Sequence, residues 1–288
     1  MTLRRCCLAI LTLLAATPAT AEPALWAIHS DQSTIYLFGT IHTLPPGADW
    51  ESPRIAKAFG DSSEVWLEEI DDDSPALQGL VMKLGFDPAH PLSSRLPAAE
   101  FARLDKAAKA VGLPDGAKKI DAMRPWEAGI DLVLLSVVQA GYDPAKGADQ
   151  VLKQQAITAG KPLHGLETTE KQLRLFADLP PAQDLMILDS SLDDLAEGPG
   201  KIEEAVQAWL AGNVDSFDKL FLEFNEPKYR PLYKRLIVDR NQAWAKQIAR
   251  MVQTGHGTRF IAVGAGHLAG PDSLVAALDR LGIQAERE

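Results

Sequence analysis

The sequence predicts an α/β protein: a mixed sheet built from its N- and C-terminal segments, with a large helical insertion at about residues 74–256. Three observations carry this prediction. A strand–helix–strand unit opens the chain, helix follows helix through the middle, and a strand, a glycine turn and a helix close it. A strand–helix–strand unit favours a parallel pair joined by a crossover. There is no tandem repeat and no low-complexity linker, so residues 22–288 read as one domain whose first and last strands come together.

Residues 1–21, "MTLRRCCLAILTLLAATPATA", begin with Arg4 and Arg5, continue as an apolar stretch from Cys6 to Ala16, and close on Ala19-Thr20-Ala21. That is the layout of a secretory signal peptide cut after Ala21, with an apolar part too short to span a bilayer. It predicts export to the periplasm or the medium. Cys6 and Cys7 precede the apolar stretch, which argues against a lipoprotein. Once they are removed the chain has no disulfide, no thiol nucleophile and no Cys-ligated metal.

Removing Arg4 and Arg5 also lowers Lys+Arg from 29 to 27 against 39 Asp+Glu, a net charge of −12. With that balance, and no basic stripe interleaved with aromatics, no nucleic-acid partner is expected. Anionic membrane surfaces should repel the protein. The apolar run "LVLLSVVQA" (Leu132 to Ala140) is nine residues long, far short of a membrane span. Nothing in the sequence sets the oligomeric state.

In "ALWAIHSDQSTIYLFGTIH" two apolar stretches flank Asp31-Gln32-Ser33, a β-hairpin pattern. Ser52 as N-cap and Pro53 at the first helical position then open a helix. "EVWLEEIDDD" follows as a buried strand ending in acids. Ser74-Pro75 and Leu96-Pro97 each open further helices. Residues 124–141 are apolar on nearly all sides, which predicts a helix inside the helical part. "DQVLKQQAITAGKPLHGLE" is a helix, a Gly-Lys-Pro stop at 160–162 and a short strand ending at Glu167. Helices are expected at 181–195, 201–210 and 214–224, with a long one over 228–252.

The chemistry gathers at strand ends. "LFGTIH" leaves its strand at Gly39 and reaches His42; "FIAVGAGH" leaves at Gly264, passes Gly266 and reaches His267. Six histidines and 21 glycines in 288 residues give about 0.4 Gly-x-x-His matches by chance, and two occur. Glycine there permits a tight exit from the strand and close approach of a neighbour. The carboxyl ends of strands in an open α/β sheet are where ligands bind. If the strands are neighbours, His42, His267 and Glu68 or Glu69 converge. Strand alternation puts Glu68 and Glu69 on opposite faces without saying which faces the site. Two imidazoles and a carboxylate suit a divalent transition metal with positions left open for water and substrate. The bland reading is that each histidine is a hydrogen-bonded strand-end residue and the acids a solvated loop. It applies with more force to His29, His90 and His256, which lie in a hairpin strand and loops.

At these residues the sequence resembles the TraB/PrgY/GumN family, in its bacterial exported branch. "YLFGTIH" and "AVGAGHLAGPDSLVAAL" resemble its two histidine motifs, "VWLEE" its acidic strand, "GADQVL" with "KPLHGLET" its middle block, and "DRNQAWAKQI" its Arg-Asn helix. The resemblance covers most of residues 22–288 and implies a fold like the erythromycin esterase and ChaN groups. Its animal relatives, the TIKI proteins, are described as metal-dependent proteases. That implies a divalent ion (Zn, Mn, Co or Fe) held by His42, His267 and Glu68, with Glu68 or Glu167 as catalytic base and a peptide or small-molecule substrate. Asp149, Arg240 and Asn241, also matched, are implied to orient ligands or face substrate. Two rival functions stay open: a non-catalytic protein that binds or sequesters a peptide, a metal or haem, and an adaptor that uses the helical insertion as a contact surface.

Overall fold

β1 (Leu25–His29) and β2 (Ser33–Thr40) pair antiparallel with Ile28 opposite Ile35, so the hairpin forms where the polar turn places it. The computed structural model describes residues 22–70, 74–219 and 226–288; the expected signal peptide lies outside the described residues. Ser52 caps α1 (Pro53–Asp61) by accepting the Ile55 N–H at 3.4 Å, and β3 (Glu64–Leu67) follows. Ser74 caps α2 (Pro75–Gly85) in the same way, accepting from Leu77 at 3.1 Å. Next come α3 (Leu92–Arg95), α4 (Ala98–Ala110), α5 (Pro125–Gln139), α6 (Ala148–Thr158) and β4 (Leu163–Gly165). Beyond them lie α7 (Thr169–Ala177), α8 (Pro181–Glu197), α9 (Gly200–Leu210) and α10 (Val214–Lys219). The rest of the helix expected over 214–224 lies outside the described residues.

The strands form one mixed sheet in the order β4-β3-β5-β2-β1-β6, where β5 is Gly257–Gly264 and β6 is Glu286–Arg287. β2 and β5 run parallel at its centre, with Thr40 beside Gly264, so the first and last strand units do meet. β3 lies on the other side of β5 and β4 beyond it, both parallel. The two-residue edge strand β6 is too short to have been legible in the sequence.

Side-chain alternation divides the core between two faces. Phe38, Val65, Leu67 and Phe260 pack under α1, α6 and α9. Leu37, Trp66, Ile261 and Val263 pack under α12 (Asp239–Thr254) and α13 (Leu274–Asp279). The insertion therefore supplies the edge strand β4 and helices on both faces. Its remaining helices pack on one another, with α5 along α8 around Leu104, Leu132, Leu188 and Leu192.

Two helix expectations need correction. α5 is not enclosed: Ile130, Leu134, Leu135 and Val138 remain 37–46% exposed, because α8 covers only one of its sides. The helix expected over 228–252 runs without a break from Arg230 to Thr254 but is not α-helical throughout: α11 (Arg230–Tyr233) passes through a π turn over Lys234–Val238 into α12. A π turn adds a residue to one turn, and helical periodicity alone does not reveal it.

Candidate active site

The four parallel strands end at one rim. His42 lies two residues past β2, Glu68 directly after β3, Glu167 two residues past β4, and His267 in a 3₁₀ turn (Ala265–Leu268) directly after β5. At their centre sits the guanidinium of Arg240, from the first turn of α12. Its Nε and Nη2 donate to Glu167 Oε1 at 2.9 and 2.7 Å, and Nη2 also donates to Glu68 Oε2. Its Nη1 donates to His267 Nε2 at 2.8 Å and to the Leu236 carbonyl in the π turn at 3.2 Å. Its carbon lies 4.5 Å from the centre of the Trp244 ring, which also packs 4.6 Å from His267.

Arginine only donates, so His267 Nε2 must accept and Nδ1 must carry the proton. Nδ1–H donates to Asn241 Oδ1 at 2.7 Å, and the Asn241 amide nitrogen donates to the Asp272 and His267 carbonyls at 2.8 and 3.3 Å. Asn241, fully buried, thus fixes both the tautomer and the ring plane. Burial, with the charges of Arg240 and His42, lowers the His267 pKa to about 4 against the opposing pull of Glu68. Burial alone would raise Glu68, but its cationic neighbours and the Gly264 N–H, which donates at 2.7 Å, bring it to about 2. Because His267 is neutral, the charge that holds Glu68 ionised is chiefly the permanent one on Arg240.

His42 is the opposite case. Its side chain is 69% exposed, and Nδ1 lies 3.2 Å from Asp149 Oδ2 at the start of α6. The hydrogen bond to Asp149 raises its pKa to about 9, with the Asp149 and Glu68 charges assisting and the Arg240 charge opposing. One histidine of the pair is buried and neutral, the other open and protonated.

Glu69 turns away from this centre and accepts from Thr169 Oγ1 at 2.5 Å, so the carboxylate at the rim is that of Glu68. Gly39 and Gly264 do not have left-handed backbones; what they provide is room. A Cβ at Gly39 would lie 3.1 Å from the Ala265 backbone, and one at Gly264 would lie 3.1 Å from Glu68 Oε1. Gly266 sits in the 3₁₀ turn and lines the cleft over the site. Glu167 is buried, with Lys171 3.3 Å from its second oxygen.

Gln172 of α7 was not marked by any motif, yet its Nε2 donates to Glu68 Oε2 at 3.1 Å. Only its place three residues into an amphipathic helix that follows Glu167 hinted at this position. Trp244 lay within a matched block without being singled out. His29, His90 and His164 lie outside the centre and contact Thr34, Asp87 and Glu64 respectively.

The pH dependence that the site itself contributes follows from its two lowered pKa values. A histidine kept neutral by folding contributes stability that is full above its ordinary pKa of 6.5 and is lost as pH falls towards about 4. The Glu68 contribution persists down to its ordinary 4.5 and is lost as pH falls towards about 2. His42 is protonated in both states below pH 6.5 and adds no slope there. Burial raises the Glu127 carboxyl to about 7, which opposes this over the same range. The His267 part is therefore read as a difference: relative to His267→Gln, the urea midpoint of the unaltered protein should fall between pH 6.5 and 4. The same slope in that variant would remove His267 as the cause.

Fold and site together define an α/β protein with a histidine–carboxylate–arginine centre at the carboxyl ends of its parallel strands. The chain belongs to the TraB/PrgY/gumN family, whose sequence profile matches residues 24–287. It is 22% identical over 271 residues to an uncharacterised protein of Treponema pallidum (strain Nichols), covering 88% of this chain and 79% of that one. It is 27% identical over 149 residues to the uncharacterised protein YbaP of Escherichia coli (strain K12), covering 52% of this chain and 54% of YbaP. YbaP of Shigella flexneri matches to the same extent, so the match spans about half the length of the YbaP proteins. No solved structure matches the chain significantly.

Proposed function

We propose that the protein is an exported metal-dependent hydrolase acting on peptide bonds, with an erythromycin esterase/ChaN-like fold. The observation that carries the reading is the meeting of His42, Glu68 and His267 at one rim, in a cleft of about 690 Å³. The donor chemistry fits a divalent Zn, Mn, Co or Fe ion: a neutral imidazole with its Nε2 lone pair inward, an ionised carboxylate and a second imidazole. Arg240 now engages two of these donors, and among the described residues no three His, Asp or Glu side chains are gathered as a metal-ligating group. Arg240 must therefore release His267 and Glu68 for an ion to be held there. When bound, such an ion polarises a carbonyl and lowers the pKa of water towards about 7.

The chain's own groups have separable tasks. Asp149 holds His42 by Nδ1, which leaves Nε2 as the nitrogen that would give up its proton to hold the ion. Glu68 is the group placed to accept a proton from water. Glu167, whose Oε1 accepts twice from Arg240 and whose Oε2 lies 3.3 Å from Lys171, positions that arginine in place of acting as a base.

His42→Ala is expected to lower turnover by roughly 10²–10⁴-fold with an unchanged circular dichroism spectrum. Metal content of the untagged protein, measured by mass spectrometry beside the His42→Ala/His267→Ala double variant, tests the ion. About one divalent ion per chain, lost in the double variant, supports the reading. None in either, even after Zn, Mn and Co are supplied, sinks it.

The engagement of both inner donors by Arg240 favours a second reading, in which peptide or haem is bound without turnover. A Soret band on adding haem, lost in His42→Ala, would distinguish it.

A further inference from the structure

Two clefts of different character meet at the site. One, of about 690 Å³, is walled by Val133 of α5, Leu175 and Phe176 of α7, Leu195 of α8, and Ile202 and Val206 of α9. The other, of about 510 Å³, is bordered by Glu69, Asp149, Gln150 and Lys153. Thr40, His42, Glu68 and Gln172 line both, so the residues of the site form the waist between them. α5 runs beside both: Val133 and Ser136 face the first, Leu134 faces the second, and its open apolar ridge connects them.

The charges lining the apolar cleft are already committed. Lys201 pairs with Asp194 at 3.0 Å and with Glu197 at 2.7 Å, Arg240 pairs with Glu68 and Glu167, and His42 pairs with Asp149 at 3.2 Å. Among the described residues, that cleft offers no charge uncommitted to a partner for a terminal carboxylate or ammonium. Recognition of a chain terminus needs such a group, because a charge brought into an apolar cleft without a partner is costly. An extended chain passing through the waist meets neither cost, and its side chains find an apolar wall on one side and polar partners on the other.

We infer that the site takes an internal segment of an extended peptide, apolar on the α7–α9 side of the waist and polar on the α6 side. The inference rests on the proposed hydrolase reading for its chemistry: water adds across the amide, the C–N bond breaks, a C–O bond forms, and the amine leaves with the proton.

The test uses fluorescent peptides of about ten residues with blocked termini: apolar–polar, all-polar, and apolar–polar with free termini. Binding to the His42→Ala variant is read by anisotropy, and cleavage by the unaltered protein is read by mass spectrometry. The blocked apolar–polar peptide should bind about tenfold or more tightly than the all-polar one. Ile202→Asp and Leu175→Asp, both half-buried positions on the cleft wall, should remove that preference while leaving the circular dichroism spectrum unchanged. Equal binding of the all-polar peptide, a requirement for free termini, or indifference to both substitutions overturns the inference. Preferential binding without cleavage upholds the ligand class and counts against the hydrolase reading. Cleavage without preference does the reverse.

Discussion

Arg240→Gln is expected to lower the stability of the protein by about 3–5 kcal/mol, the usual cost of leaving a buried ionic partner uncompensated. Two carboxylates depend on this guanidinium: Glu167, whose side chain is fully buried, and Glu68, whose side chain is 11% exposed. Urea unfolding at pH 7 measures the loss, and Arg240→Gln/Glu167→Gln should recover part of it, because the second substitution removes the stranded charge. The same variant carries a second expectation under the metal reading. With the competing cation gone, His267 Nε2 and Glu68 Oε2 become available, so Zn²⁺ should bind at least tenfold more tightly by titration calorimetry. Affinity no greater than that of the unaltered protein would mean that Arg240 is not what keeps the ligands occupied.

Asp184→Ala is expected to be nearly as costly, about 3 kcal/mol, with its damage confined to the helical insertion. Asp184 is buried in the first turn of α8. It accepts the otherwise unpaired Trp126 N–H at the start of α5 at 2.8 Å, and ion-pairs with Arg124 at 3.1 Å and Arg95 at 3.5 Å. Arg124 in turn donates to the Ala177 carbonyl at the end of α7 at 2.6 Å. Removing the carboxylate strands two arginines and a helix N-terminus together. Amide exchange should accelerate in α5, α7 and α8 while β2, β5 and α12 keep their protection. Uniform acceleration through the sheet would show that the insertion does not open separately.

The parts of this architecture that sequence revealed are those with a local cause. Ser52, Pro53, Ser74 and Pro75 state helix starts in residues adjacent to the effect, and the runs before His42 and His267 state strand ends in the same way. The convergence of His42, Glu68 and His267 was inferable from parallel-sheet geometry, and the structure brings their strands together. What escaped has a non-local cause. That α5 stays open on one side depends on where α8 lies. That Gln172 reaches Glu68 depends on how β4 sets α7. The place of Arg240 at the centre, beyond its membership in a matched motif, depends on a π turn that shifts the helix by one residue. The glycines were read correctly as permitting close approach, but Gly39 and Gly264 do so with ordinary backbone angles.

The parallel pairing of β2 with β5 joins Thr40 to Gly264 across almost the whole chain. During synthesis the hairpin, α1 and β3 are made long before the strand that completes the middle of the sheet. Until then Glu68 lacks the Gly264 N–H, Asn241 lacks the imidazole it orients, and β2 and β3 each present an unpaired edge where β5 will sit. A nascent chain is thus withheld from function by its own connectivity, and it carries a vacant slot between two strands until β5 is made. Contacts this distant in sequence form slowly. Aggregation and chaperone dependence are therefore expected to be concentrated in that interval, before the final strand arrives.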